Sequence, residues 1–139
     1  AYTTARAPEP ILDTDRWYHI AGVYDGQEVR LYIDGQLVAT QSGSGKRVTN
    51  TLPLIIGADV DGNGQATSLF DGEIDEVRLS NTTRYSDSVF TPARWFEPDD
   101  HTVLLYHMDG QIGPWIFDES SNHAHAWVRG KAFVERVNQ

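Results

Sequence analysis

Short apolar stretches separated by Asp-Gly pairs dominate the pattern early in the chain. Residues 17–24, 29–33 and 37–40 are rich in aromatic and branched side chains, and Asp25-Gly26 and Asp34-Gly35 separate them. Asp-Gly between apolar runs is typical of tight hairpin turns, because the central positions of such turns need a positive φ. The pattern therefore predicts a three-stranded antiparallel meander.

The rest of the chain continues as short apolar segments bounded by Gly, Pro and polar turns. Further strands are expected at residues 52–57 and 102–108. Residues 69–80 are expected to form a strand pair or one bent strand, interrupted at Asp71-Gly72, and residues 124–137 one or two last strands. Residues 58–68 form a predicted polar loop, and residues 89–95 offer one helical turn. Because no helical periodicity extends beyond about two turns, the spacing of the strands predicts an all-β sandwich or barrel.

Charge and composition narrow the range of partners. The 139 residues include 11 Lys and Arg, 20 Asp and Glu and no Cys, for a formal net charge of −9. Nucleic acids and anionic lipids attract clustered basic residues, so neither is a predicted partner. The longest apolar runs, such as residues 103–106, are strand-sized, so membrane insertion is not expected either. The partners that this charge favours are neutral ligands, cations or basic proteins.

Two sets of motifs carry a family resemblance. WYHIAGVYDG at residues 17–26 precedes VRLYIDGQL at 29–37, and IIG at 55–57 precedes FDGEIDEVRLS at 70–80. Their ordered occurrence resembles the central hairpin and later strands of bacterial laminin-G-like domains. The resemblance implies an antiparallel two-sheet β-sandwich of the concanavalin A-like jelly-roll type, partial or permuted in its strand order.

A third segment resembles the element that opens such domains. It consists of LLYHMD at residues 104–109 and DESSNH at 118–123, and here it follows the other motifs. Either it closes the same sandwich in the place of a first strand, or the chain crosses from one truncated repeat into the next. We favour the first, with laminin-G-like strands over residues 1–100 and completing strands over 101–139. The absence of an initial Met favours a fragment of a larger secreted or surface protein.

Acidic residues in the EIDE segment superficially resemble the carboxylate pair of sandwich-fold glucanases. A retaining glycosidase needs its two carboxylates on one face, about 5–5.5 Å apart. On a strand, one face would carry Glu73, Asp75 and Val77. Val77 stands in this row where a third carboxylate would be expected, and Glu76 would point to the other face. The chain is therefore predicted to be non-enzymatic.

Calcium is the metal that the sequence favours, because loops rich in oxygen ligands suit hard cations. The resemblance implies a structural site at Asp75 and Asp118, with backbone carbonyls near Asn122 and His123. The loop that begins at Asp59 offers an alternative site, because an oxygen-bearing side chain occurs at every second residue. Phe70, however, stands at the twelfth position of this loop, where calcium loops carry an acidic residue. Its ligands would be Asp59, Asp61 and Asn63.

Aromatic side chains are candidates for a glycan-binding platform, because sugars stack on exposed rings. Four of them are the predicted ligand contacts: Tyr85, Trp95, Trp115 and Trp127. Trp17 is expected in the core of the sandwich. The resemblance implies a binding module for a glycan or polysaccharide. The alternative is a structural or adhesive module that binds protein or packs on other parts of a larger parent protein.

Overall fold

The computed structural model describes residues 3–45, 48–109 and 113–135. Nine strands form its regular structure: β1 (Ile20–Tyr24), β2 (Glu28–Ile33), β3 (Gln36–Ser42), β4 (Asp59–Val60), β5 (Ala66–Thr67), β6 (Val77–Ser80), β7 (Thr102–Tyr106), β8 (Trp115–Ile116) and β9 (Ala126–Trp127). All pairings between them are antiparallel, which confirms the predicted fold class. Nothing in these ranges forms a helix of the length and apolarity that a membrane span requires.

The predicted meander is confirmed as a sheet of order β1-β2-β3. Asp25 Oδ1 accepts hydrogen bonds from the amides of Gln27 and Glu28, at 2.8 and 2.9 Å, and shapes the first turn. Asp34 and Gly35 both adopt a positive φ, 49° and 76°, in the second turn. Both turns thus use the local chemistry that Asp-Gly provides.

Three two-stranded pairs follow, β4 with β5, β6 with β7 and β8 with β9. The predicted strand at residues 52–57 is absent, and the β4–β5 hairpin lies within the predicted loop 58–68 instead. The strand pair or bent strand expected at 69–80 is reduced to β6, because Glu76 has a φ of 51° that interrupts the extended backbone. β7 confirms the strand predicted from residue 102.

The helical turn expected at residues 89–95 was also wrong. Val89 instead bridges to Gln36 on the edge of β3, and Leu37 donates its amide to the carbonyl of Ser88 at 2.9 Å. Behind this contact, Tyr85 stacks on Phe90 with ring centroids 3.7 Å apart. The segment after β6 therefore packs back against the meander.

Among the described residues, few apolar side chains are buried: Tyr32, Phe96, Leu104, Leu105 and Tyr106. Trp17, expected in the core, is 60% exposed, so that expectation was wrong. Large apolar side chains such as Leu69 (77% exposed) and Phe70 (58%) lie open in the described residues. Apolar surface that a closed sandwich would bury is thus open.

Candidate functional site

The β8–β9 hairpin gathers aromatic side chains on one face. Trp115 lies directly opposite Trp127 in the register, and their ring centroids are 4.6 Å apart in an edge-to-face arrangement. Phe117 and His125 follow them, with ring centroids 5.2 Å apart. Since opposed residues of an antiparallel pair share a face, these four rings form one surface, here named the aromatic hairpin face.

The rings of this face remain open to solvent. Trp127 is 51% exposed, Trp115 42% and Phe117 41%. An aromatic ring that packs in a core loses nearly all of its accessible surface, whereas these rings each keep close to half of it. The aromatic hairpin face is therefore a surface against which an apolar or amphipathic ligand can stack.

The buried carboxylate of Asp118 fixes the turn that adjoins this face. Its Oδ1 accepts hydrogen bonds from the amides of Leu105 and Ser120, at 2.8 and 2.9 Å. Its Oδ2 accepts from the amide of Ala124 and lies 2.8 Å from the Ser120 hydroxyl. Burial alone would raise the pKa of Asp118, but these hydrogen bonds outweigh burial and lower it.

The same turn runs along the outer edge of β7. Glu119 donates its amide to the carbonyl of Leu105 at 2.9 Å, and the Asn122 Nδ2 donates to the carbonyl of Val103 at 2.8 Å. The amide and carbonyl of Leu105 and the carbonyl of Val103 thus find partners in the turn, which consequently holds a defined position against β7.

A hydrogen bond joins the turn to the aromatic hairpin face. The amide of Asp118 lies 3.0 Å from His125 Nδ1. Because an amide N–H can only donate, Nδ1 accepts, and the neutral ring carries its proton on Nε2. His125 is exposed, so its Nε2–H is a hydrogen-bond donor beside the exposed rings.

The other two aromatic candidates lie elsewhere. Tyr85 stacks on Phe90 and lies near Tyr32, with a ring-centroid distance of 6.1 Å to the latter, so it belongs to the packing of the meander. Trp95 is 47% exposed but has one face covered by His107, at 3.7 Å between ring centroids. Among the four candidates, the structure brings together Trp115 and Trp127.

A carboxylate–histidine pair connects the two strands of the β6–β7 sheet, and sequence reasoning missed it. Glu76 Oε1 lies 2.7 Å from His107 Nδ1, and Glu76 Oε2 accepts the amide of Phe96 at 3.0 Å. His107 Nε2 also lies 3.8 Å from a carboxylate oxygen of Glu119. The sequence feature that could have indicated this pair is the position of its members, since Glu76 directly precedes β6 and His107 directly follows β7. Both carboxylate oxygens of Glu76 are thus engaged in hydrogen bonds.

Family comparison agrees with this all-β architecture. The family model of the concanavalin A-like lectin/glucanases superfamily matches residues 1–90. The chain belongs to this superfamily. No curated protein and no solved structure matches the chain significantly.

Membership of the concanavalin A-like superfamily confirms the laminin-G-like resemblance and the sandwich fold. It supports a lectin-like or binding module as the broad class of function. The matched residues contain β1 to β6, whereas the aromatic hairpin face lies in the part of the chain that follows. The alternating strand row argued for Glu73, Asp75 and Val77 was wrong, because residues 73–75 precede β6 and are not in a strand.

The calcium site implied by the laminin-G-like resemblance involves two carboxylates, Asp75 and Asp118, whose pKa values are shifted in opposite directions. Partial burial raises the pKa of Asp75, and the negative charge of Asp109 acts in the same direction. The four donors around Asp118 match the four lone pairs of a carboxylate. A calcium ion at Asp118 would therefore displace at least one of those donors.

In the alternative calcium loop, the turn uses the acidic oxygens itself. Asp61 Oδ1 accepts the amides of Gln65 and Asn63, both at 2.8 Å, and these bonds lower the pKa of Asp61. Asp59 Oδ1 accepts the amide of Val60 at 2.8 Å. In the described ranges no three His, Asp or Glu side chains gather as a metal-binding group. Calcium at either place stays a prediction.

Proposed function

We propose that the chain is a non-catalytic carbohydrate-binding module that holds a glycan on the aromatic hairpin face. The observation that carries the proposal is the exposed edge-to-face pair of Trp115 and Trp127, at 4.6 Å. Pyranose rings have apolar C–H faces that stack on aromatic rings, while their hydroxyl groups need hydrogen-bond partners. The Nε2–H of His125 supplies a donor at the same surface.

Charge selects among glycans. The formal net charge of −9 repels sulfated or uronic acid polymers. The aromatic hairpin face itself consists of three apolar rings and one imidazole, with no cationic side chain that would pair with a sulfate. A neutral polysaccharide or cell-surface glycan fits both facts.

The carboxylate contacts support a binding role without catalysis. Glu76 is hydrogen-bonded to His107 and to the amide of Phe96. A retaining glycosidase needs one free nucleophile and one free acid facing a common sugar ring. The engaged Glu76 does not meet that requirement, and Asp118 is buried among its own donors.

The proposal includes the setting of the module. Laminin-G-like resemblance supports a secreted or surface location within a larger protein. The pairing of β6 with β7 supports the arrangement in which residues 101–139 complete the sandwich formed by residues 1–100. In that arrangement the aromatic hairpin face is a C-terminal addition to the strands of the matched region.

The direct test is a glycan array with and without calcium, followed by calorimetry on any neutral glycan that binds. Trp115→Ala and Trp127→Ala should each weaken binding about tenfold, the effect of losing one stacked ring. Phe133→Ala is the matched control, because Phe133 is 78% exposed but does not belong to the aromatic hairpin face. Unchanged affinity in both Trp variants, or the absence of any glycan ligand, would contradict the proposal.

A second candidate is a structural or adhesive module that binds protein. The open apolar surface favours it, because exposed large hydrophobic side chains such as Leu69 (77%) and Leu54 (63%) lie far from the β8–β9 hairpin in sequence. Tight association with a protein together with a blank glycan array would favour this alternative.

A further inference from the structure

The two indole rings of the aromatic hairpin face stand at right angles to each other. The ring planes of Trp115 and Trp127 meet at 84°, with centroids 4.6 Å apart, so one ring presents its edge to the face of the other. Aromatic pairs favour this edge-to-face arrangement. Trp115 is 42% exposed and Trp127 51%, so both rings keep open surface within the pair. The pair therefore forms an open corner, in which one ring is the floor and the other is the wall.

The backbone of the hairpin holds this corner in place. Val128 donates its amide to the carbonyl of Pro114 at 2.8 Å, and the next pair in the register is Trp115 with Trp127. The two Trp residues are therefore a non-hydrogen-bonded pair, the position at which opposed Cα atoms approach to about 4.5 Å and side chains lie closest. Because the strand pairing sets this distance, the corner exists before any ligand arrives.

A second corner follows the first along the hairpin. The rings of Phe117 and His125 meet at 75°, with centroids 5.2 Å apart. These residues lie two positions along from the Trp pair, a step of about 7 Å on an extended strand. The ring of His125 is held by the amide of Asp118, which lies 3.0 Å from its Nδ1. The aromatic hairpin face is thus a stepped surface along its length, and not a plane.

A stepped surface distinguishes between two physical forms of the same polysaccharide. A chain in solution is single, whereas the chains of an ordered, insoluble particle lie side by side in one plane. Two rings at 84° cannot both lie against one plane, because the wall ring stands where the neighbouring chains would be. A single pyranose has no such neighbour, so its apolar face can stack on one ring while its rim contacts the other.

We propose, on the basis of the glycan-binding function above, that the aromatic hairpin face takes a single, isolated chain of a neutral glycan and excludes the flat surface of an ordered polysaccharide. The wall ring has both effects, since it adds contacts to a lone sugar unit and keeps a crystalline face away from the floor ring. The face is only two corners long, so it contacts a short stretch of the chain.

The test compares soluble and crystalline forms of the same polymers. Cellulose, mannan and chitin serve as probes, each offered as a soluble oligosaccharide in calorimetry and as washed crystalline particles in a sedimentation assay. The Trp115→Ala/Trp127→Ala double variant measures adsorption to particles that does not involve the corner, and Trp127→Ala alone replaces it if the double variant does not fold. We expect the unaltered chain to bind at least one soluble oligosaccharide, about tenfold or more tighter than this baseline variant. Retention on particles should be the same for both proteins.

The possible results separate the single-chain ligand from glycan binding as such. Retention of the unaltered chain on particles above that of the baseline variant would overturn the single-chain proposal and leave glycan binding intact. An absence of binding to every soluble probe would also overturn it, and glycan binding itself would fall only if the glycan array were blank as well. Phe133→Ala should match the unaltered chain in both assays, because Phe133 is 78% exposed and lies outside the face. Equal losses in Phe133→Ala and in the baseline variant would mean that the corner does not account for the binding.

Discussion

The carboxylate of Asp118 accepts the backbone amide of Leu105 at 2.8 Å, and so ties a surface turn to a fully buried residue of β7. The turn and the strand are thirteen residues apart in the chain. The Asp118 side chain is 2% exposed and accepts three backbone amides in all.

Asp118→Asn tests this connection. The side-chain amide of Asn would place an N–H donor against the backbone N–H groups that Asp118 now accepts. We therefore expect a loss of about 2–4 kcal/mol in the free energy of unfolding. Urea denaturation followed by tryptophan fluorescence measures it. Asp100→Asn is the control, because Asp100 is exposed, and it should change stability by less than about 0.5 kcal/mol. Equal stability of the two variants would contradict the role of Asp118.

Stability should depend on pH in the acidic range. The hydrogen bonds that outweigh burial lower the pKa of Asp118, and the amides of Glu28 and Gln27 lower the pKa of Asp25 to about 2. A carboxyl with a lowered folded pKa stabilises the fold above its unfolded pKa and loses that contribution as the pH falls through the folded pKa. The contribution of these carboxylates to the melting temperature should stay level from pH 7 to 5 and be lost from about pH 4 to 2. Asp118→Asn should show a shallower decline.

Asp75 should have the opposite effect to Asp118 and Asp25 on the pH dependence of stability. Burial and the charge of Asp109 raise the pKa of Asp75, so its protonation favours the folded state as the pH falls. Asp75→Asn removes that gain and should steepen the decline that the wild-type chain shows below about pH 4. A decline of the same slope in the two chains would speak against the raised pKa.

Gly35 and Gly26 form a matched pair for backbone strain. Both have a positive φ, 76° and 96°. A Cβ on Gly35 would overlap the carbonyl oxygen of Phe90, whereas a Cβ on Gly26 would meet nothing within 4 Å. Gly26→Ala should thus cost about 1–2 kcal/mol from the left-handed backbone alone, and Gly35→Ala about 3 kcal/mol or more. Thermal denaturation of the two variants measures the difference, and equal costs would mean that the overlap is relieved.

The calcium prediction is tested by melting in calcium and in chelator. A ligand at 100 times its Kd adds about 2.7 kcal/mol of stability, so bound calcium should raise the melting temperature. Asp75→Asn should abolish the rise under the site implied by resemblance, and Asp61→Asn under the alternative loop. A melting temperature that responds to neither calcium nor chelator would remove both sites.

Local turn chemistry made the meander predictable, because Asp25-Gly26 and Asp34-Gly35 determine their turns without help from distant residues. The strand expected at residues 52–57 illustrates the opposite case. Strands form by pairing with a neighbour, and composition does not reveal which neighbour is present. Glu76 interrupts an extended run through its backbone φ of 51°, which an alternating apolar pattern does not signal.

The members of the aromatic hairpin face could be named from the sequence only in part. Trp115 and Trp127 were named as ligand candidates, but their contact depends on a register that the intervening turn determines. The Asp118 turn was singled out through resemblance, and its hydrogen bonds to β7 depend on tertiary structure. Trp17 was expected in the core because apolar aromatics usually pack there, yet it is exposed because no described segment covers it.

The contacts between the Asp118 turn and β7 have a consequence for aggregation. A strand with free amides and carbonyls is a template for stacking chains into fibres. At the outer side of β7, the amide and carbonyl of Leu105 and the carbonyl of Val103 are already taken by the turn. Because these three groups are already bonded, the outer edge of β7 offers fewer free partners to a strand of another chain, and the protection comes from a turn and not from an additional strand.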